Sequence, residues 1–136
     1  MLEALLALAV VAIIGAVAVP AVQSAIRAAQ FDFIVGEVVS EIRLARSRAV
    51  AEGKERVILF FPDRIEVWVD DLKEREVVPS YGARIEGVDF AGESALTFHV
   101  DGSPSAGGEF ILSWRGMHKK VLVLPVSGLV RVEDGN

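Results

Sequence analysis

The sequence predicts an α+β fold, with one long N-terminal α-helix packed on a C-terminal antiparallel β-sheet domain. The first half of the helix is expected to span a membrane and the second half to be amphipathic. Three observations carry this. Residues 4–22 are 19 consecutive positions without a polar side chain. From Phe31 to Ala49 apolar residues recur at three- and four-residue steps, one face of a helix. After Gly53 the period changes to about two and does not change back. A helix followed only by strands is an α+β arrangement. The chain divides as 1–22, the membrane-spanning half of the helix, 23–52, the amphipathic half, and 53–136, the β domain.

Composition sets the bounds. The 136 residues suffice for one ordinary domain. With 52% hydrophobic and 24% charged residues the chain is not of the disordered class. A net charge of −5 argues against coating nucleic acid by overall charge, though a local basic patch remains open. The absence of cysteine removes disulfide scaffolds, Cys-based zinc sites, iron–sulfur clusters and thiol catalysis together.

As a helix, residues 4–22 extend ~28 Å, close to the ~30 Å hydrocarbon core of a bilayer. A cleavable signal peptide needs a basic start and a shorter apolar core. Here no Lys or Arg precedes the run and the early charge is Glu3. The segment therefore reads as an anchor, either plain or with a further task. Glu3 bears on that choice, because carboxylates rarely enter a membrane segment without a partner. It either sits at headgroup level or meets a cation from another chain, such as an N-terminal amine. Pro20 removes one helical hydrogen bond, but membrane helices tolerate proline, so the helix is expected to continue. Its continuation buries Phe31, Ile34, Val35, Val38, Ile42, Ala45 and Ala49 on one face. The other face carries Glu37, Ser40, Glu41, Arg43, Ser47 and Arg48. Gly53 supplies a stop, giving one helix over about residues 2–52.

Strands follow at 56–61 and 64–69, joined by the turn Pro62-Asp63, and then at 76–78, 83–90, 95–100, 109–114, 120–125 and 128–132. Asp70, Asp71, Glu74 and Glu76 fall in a charged stretch that reads as a solvated loop. Residues 102–108 (GSPSAGG) read as a mobile surface loop.

No catalytic constellation emerges. His99 and His118 lack acidic or histidine neighbours at metal-ligand spacing, and no GxSxG, HExxH or phosphate-cradling glycine loop is present. The serines lack a triad context. The chain reads as a non-enzyme with no cofactor and no metal. Two basic clusters are candidates for DNA binding. Arg43, Arg46 and Arg48 are interleaved with Glu37, Glu41 and Glu52, the pattern of a salt-bridged solvated face. Arg115, His118, Lys119 and Lys120 form a denser patch, with Trp68 and Trp114 as aromatics that either stack on bases or fill a core.

The N-terminal pattern, a glutamate at Glu3, an apolar run, and a proline 17 positions later at Pro20, resembles the type IV pilin superfamily. The rest is similar to its minor-pilin branch, the GspH/FimT family. That likeness lies in residues 42–50 (IRLARSRAV), the strand at 57–61, residues 96–102 (LTFHVDG) and the closing stretch 123–132 with Ser127-Gly128. The resemblance implies a minor pilin of a type IV pilus or a minor pseudopilin of type II secretion. Such a subunit helps initiate or cap a filament whose core is made of N-terminal helices. It implies other pilins or pseudopilins, an inner-membrane assembly platform and, before assembly, membrane lipid as partners. The implied location is the bacterial inner membrane, single-pass, with the β domain in the periplasm or outside the cell after assembly. Glu3 and Pro20 become the assembly residues. Only Met1 and Leu2 precede Glu3, so the family's leader and two mature residues are expected to be missing from the chain as written. Two alternatives stand beside this reading: a DNA-binding minor pilin for natural transformation, and a membrane-anchored domain without a filament. DNA-binding members resemble one another in a Gly-Arg-x-Arg element. The matching place is 128–131 (GLVR), which keeps Arg131 and lacks the other arginine.

Overall fold

The computed structural model describes residues 1–135. A single helix, α1, runs Leu2–Glu52 and continues through Pro20. Eight strands follow among the described residues: β1 Arg56–Phe60, β2 Ile65–Val69, β3 Leu72–Val77, β4 Arg84–Asp89, β5 Ala95–Phe98, β6 Gly108–Trp114, β7 Met117–Val123 and β8 Val130–Asp134. They form two antiparallel four-stranded sheets, in the orders β3-β2-β1-β5 and β4-β6-β7-β8.

The chain separates into two compact units, Met1–Phe33 and the remainder from Ile34. The first is helical and apolar, and its large side chains, Leu5, Leu6, Leu8, Ile13, Ile14 and Val17 among them, stand exposed. The second contains a hydrophobic core. Ile34, Val38, Ile42, Ala45 and Ala49 recur on one helix face and are buried, as the 3.6-residue period requires. The sheets meet them with alternate residues: Ile58 and Phe60 from β1, Leu96 and Phe98 from β5, Phe110 and Leu112 from β6, Val121 and Val123 from β7. Phe60 lies against Phe90 and Phe110, with ring centroids 5.1 and 5.0 Å apart.

The helix stops at Gly53, whose φ of +64° an L-residue rarely adopts. No basic residue occupies the last turn of α1. Arg56, the first residue of β1, supplies the missing positive charge. It is 1% exposed. It donates to the carbonyls of Arg48 at 3.3 Å and Lys54 at 3.0 Å, to both carboxylate oxygens of Glu74, and to Glu52. Burial opposes its charge, but the hydrogen bonds to Glu52 and Glu74 outweigh burial and hold its pKa above the ordinary arginine value. The same contact with Arg56 holds the Glu52 carboxyl below its usual range.

Two sequence expectations are corrected here. The stretch 70–76 is a hairpin, not a loop. Asp70 and Asp71, with φ of +50° and +62°, form its two-residue turn, and β3 pairs with β2. β3 was hidden because the side chains it sends to α1 are ionic. Glu74 meets Arg48 and Arg56, and Arg75 grips Glu41 with two bonds of 2.9 and 2.7 Å. Residues 102–108 are tied down along β5. The Asp101 carboxylate accepts the Ser103 amide and hydroxyl, and the Ser105 amide donates to the Thr97 carbonyl at 2.7 Å. Gly102 and Gly128 both lie against Arg46, whose Nε donates to the Gly102 carbonyl at 2.9 Å. A Cβ at Gly128 would stand 2.9 Å from that same carbonyl oxygen.

Candidate functional site

Two regions hold the residues of interest. The first is the start of α1. Glu3 lies in its first turn and Pro20 within it, both exposed. The segment is long and apolar enough to cross a membrane, and none of the qualifying window is buried. Chemically, it is an apolar surface with one carboxylate at its head.

The second region is the sheet β4-β6-β7-β8, over which the predicted basic patch is divided. Alternation along β7 puts Lys119 on the side of buried Val121 and Val123, and His118 and Lys120 on the opposite, outer side. Lys120 is paired with Glu109 at 3.2 Å. Arg131 sits opposite Leu122 on that outer side and lies 3.8 Å from Glu133. Both cations thus have carboxylates beside them. The clustered arginines Arg43, Arg46 and Arg48 of the helix are occupied as well. Arg43 donates to the Val130 carbonyl at 3.4 Å, Arg46 to Gly102, and Arg48 to Glu74. Their partners come from the β domain, not from the helix glutamates that sequence spacing suggested.

What the structure does assemble is a concavity of about 320 Å³ at the β6–β7 turn. Its walls include Tyr81, Arg84, Ser113, Trp114, Arg115 and His118. The β4–β6 register sets Arg84 opposite Ser113, and the β6–β7 register sets Ser113 opposite His118. Arg115 and Gly116 form the two-residue turn, with φ of +48° and +78°. The Arg115 guanidinium lies 4.9 Å from the centroid of the Trp114 ring. The Trp114 indole donates to the Tyr81 carbonyl at 3.0 Å and holds that residue at a φ of +57°. Tyr81 is 62% exposed. Tyr81 and Arg84 were missed in the sequence because they join Arg115 and His118 only through strand pairing.

His99 also has a partner that spacing hid. Its Nδ1 lies 2.7 Å from a carboxylate oxygen of Glu55, 44 residues away. Among the described residues no group of three His, Cys, Asp or Glu side chains is placed to hold a metal.

No family model matches the sequence, and no curated protein matches it. Solved structures do match the fold. The type IV minor pilin FimU of Pseudomonas aeruginosa aligns with a TM-score of 0.61 at 14% identity, covering 75% of this chain and 91% of that one. The minor pseudopilin EpsH of the Vibrio cholerae type 2 secretion system aligns with a TM-score of 0.60 at 10% identity, covering 76% and 94%. The fold is type IV pilin-like.

Proposed function

We propose that this chain is a structural, non-catalytic filament subunit, a minor pilin or minor pseudopilin that helps initiate or cap a type IV pilus or a type II secretion pseudopilus. One observation carries the reading: a pilin-like β domain shares a 51-residue helix with an apolar segment headed by Glu3. Before assembly residues 1–22 hold the chain in the inner membrane, close to the assembly platform, with the β domain on the periplasmic side. After assembly the same surface packs against the helices of other pilins or pseudopilins. Lipid and helix bundle are interchangeable surroundings for such a face, since both are apolar. Only the carboxylate of Glu3 distinguishes them.

The anchoring half of the proposal has a direct test. The intact chain is expected to require detergent, and deletion of about residues 1–28 is expected to release a soluble domain, because ~20 apolar residues are removed from water only by lipid or by other helices. Purification of the intact chain as a soluble monomer without detergent overturns the reading.

The alternative of a DNA-binding minor pilin has less support, since Lys120 and Arg131 already face Glu109 and Glu133. Titration of the chain in detergent with labelled duplex DNA at low salt is expected to show no saturation at roughly 10 μM, where a protein with a phosphate-tracking patch saturates. Tight, steeply salt-dependent binding would favour the alternative.

A further inference from the structure

The sheet β3-β2-β1-β5 turns Ile58, Phe60, Ile65 and Val67 into the core. An antiparallel sheet packed on one side is expected to be polar on the other. Near the Asp70-Asp71 turn this sheet is not. Val57 pairs with Trp68 across β1 and β2, and Leu59 stands two residues along β1 on the same face. All three are only half-buried. Together with Val100, which is half exposed, they supply the apolar wall of a concavity of about 750 Å³. That is more than twice the volume of the one at the β6–β7 turn, and it lies within the ~300–1,000 Å³ range of ligand sites.

The rim is charged, and the negative sign prevails. Glu55, Asp70 and Asp71 line the concavity with a single lysine, Lys54. Lys54 is held by Asp70 at 2.8 Å, and Glu55 lies 2.7 Å from His99. Asp71 is exposed and has no ion pair among the described residues. The Trp68 ring is fixed by its polar edge. Its indole N–H donates to Glu66 at 3.2 Å, and the buried Glu66 is held in turn by Arg64 at 2.8 Å. Glu66 is not part of the wall, so the indole offers the concavity hydrocarbon and π surface. An aromatic face and an unpaired carboxylate both attract positive charge, and the apolar wall suits an alkyl stem that carries it. Arginine matches best among protein cations, because its planar guanidinium stacks on rings and binds a carboxylate with two parallel hydrogen bonds.

We propose that this concavity is a docking site for an arginine-bearing apolar segment of a second, non-identical protein. The guanidinium lies between the Trp68 ring and the Asp71 carboxylate, and the flanking apolar residues lie on Val57, Leu59 and Val100. A second copy of this chain is a poor occupant. Its Arg131 also stands between valines, but Glu133 and Asp134 follow and would meet the acidic rim. The proposal goes beyond the filament reading and does not depend on it, since an anchored domain without a filament presents the same concavity.

The test uses the full chain in an uncharged detergent and the capped peptide acetyl-Val-Arg-Val-amide. The readout is the indole N–H resonances of Trp68 and Trp114, told apart with Trp68→Phe. The Trp68 resonance is expected to shift and saturate with a Kd of about 1 mM, while that of Trp114 stays in place. The same peptide with citrulline for arginine keeps the shape and removes the charge, and it should bind roughly tenfold more weakly or worse. Asp71→Asn should weaken the arginine peptide by a similar factor. Asparagine tolerates the left-handed backbone of that turn, where φ is +62°, so the fold is kept. Asp71→Lys should lose the arginine peptide and gain acetyl-Val-Glu-Val-amide, which excludes misfolding as the cause of the loss. No shift of Trp68 at about 10 mM arginine peptide, or an equal response to the citrulline peptide, overturns the proposal. A Trp68 resonance that moves with protein concentration alone, and resists the peptide, would make a second copy the occupant and overturn it as well.

Discussion

Glu3→Leu is expected to leave the chain in the membrane fraction and to reduce its recovery in sheared filaments by roughly tenfold or more. The carboxylate heads an otherwise apolar helical surface, all of it exposed in the isolated chain. In lipid, leucine at that position is cheaper than glutamate, so insertion is preserved or improved. In a core of packed helices an unpaired carboxylate costs several kcal/mol. The glutamate is therefore tolerated there only with a cation, and the N-terminal amine of a neighbouring subunit is the cation the pilin resemblance supplies. If Glu3 sets the axial register of the incoming subunit, as proposed for the filament, the leucine variant lacks that charge and its insertion is less specific. The measurement compares membrane and sheared-filament fractions of cells expressing each form at equal levels. Unchanged incorporation of Glu3→Leu would remove the registration role and leave Glu3 as a headgroup-level residue.

Arg56→Leu is expected to lower the stability of the β domain by about 3 kcal/mol. Truncating one member of a buried ionic cluster typically costs about 3–5 kcal/mol. The lower end applies because Glu52 keeps half of its side chain in water, at 52% exposure, while Glu74 keeps 26%. The loss leaves the Arg48 and Lys54 carbonyls without their donor at the end of α1. With a urea slope of about 1.5 kcal/mol per molar, the midpoint should fall by about 2 M. Fluorescence of Trp68 and Trp114 in detergent reports the transition. The same variant should show less acid sensitivity. Contact with Arg56 holds the Glu52 carboxyl below its ordinary value of 4.5. The stabilisation is thus complete above that value and is lost as pH falls through the lowered folded-state value. Without Arg56 this part of the acid limb disappears. An unchanged urea midpoint would show that water serves the helix end as well as arginine does.

The elements legible in the sequence were those whose burial is apolar. The stripe Ile34–Val38–Ile42–Ala45–Ala49 gave the amphipathic helix, and alternation in residues such as Ile58 and Phe60 gave the strands. β3 failed that test because its contacts to the helix are carried by Glu74 and Arg75, which read as solvated charge. The way the basic residues divide over the sheet is hidden in the sequence for a related reason. Adjacency along β7 joins His118, Lys119 and Lys120, but the pleat divides them, and Lys120 is already matched by Glu109 across the strand pair. Tyr81 and Arg84 were not legible at all. Their place beside Arg115 depends on the pairing of β4 with β6, a contact between segments about thirty residues apart that no local pattern encodes.

The clasp between Arg46, Gly102 and Gly128 also sets the order of events during synthesis. The Arg46 contact spans 56 residues, and the bond from Arg43 to the Val130 carbonyl spans 87. The amphipathic stretch of α1 leaves the ribosome first, yet the surfaces that cover it are completed last. β5 must be in place before Gly102 can close on Arg46, and β7 must be made before β8 can pair with it. Until then the stripe of Ile34, Val38 and Ile42 is covered only in part, by the sheet that contains β1 and β5. High contact order of this kind slows folding and prolongs the exposure of apolar surface on the nascent chain. The cover of the helix stripe is thus completed only once β8 has been made and paired with β7.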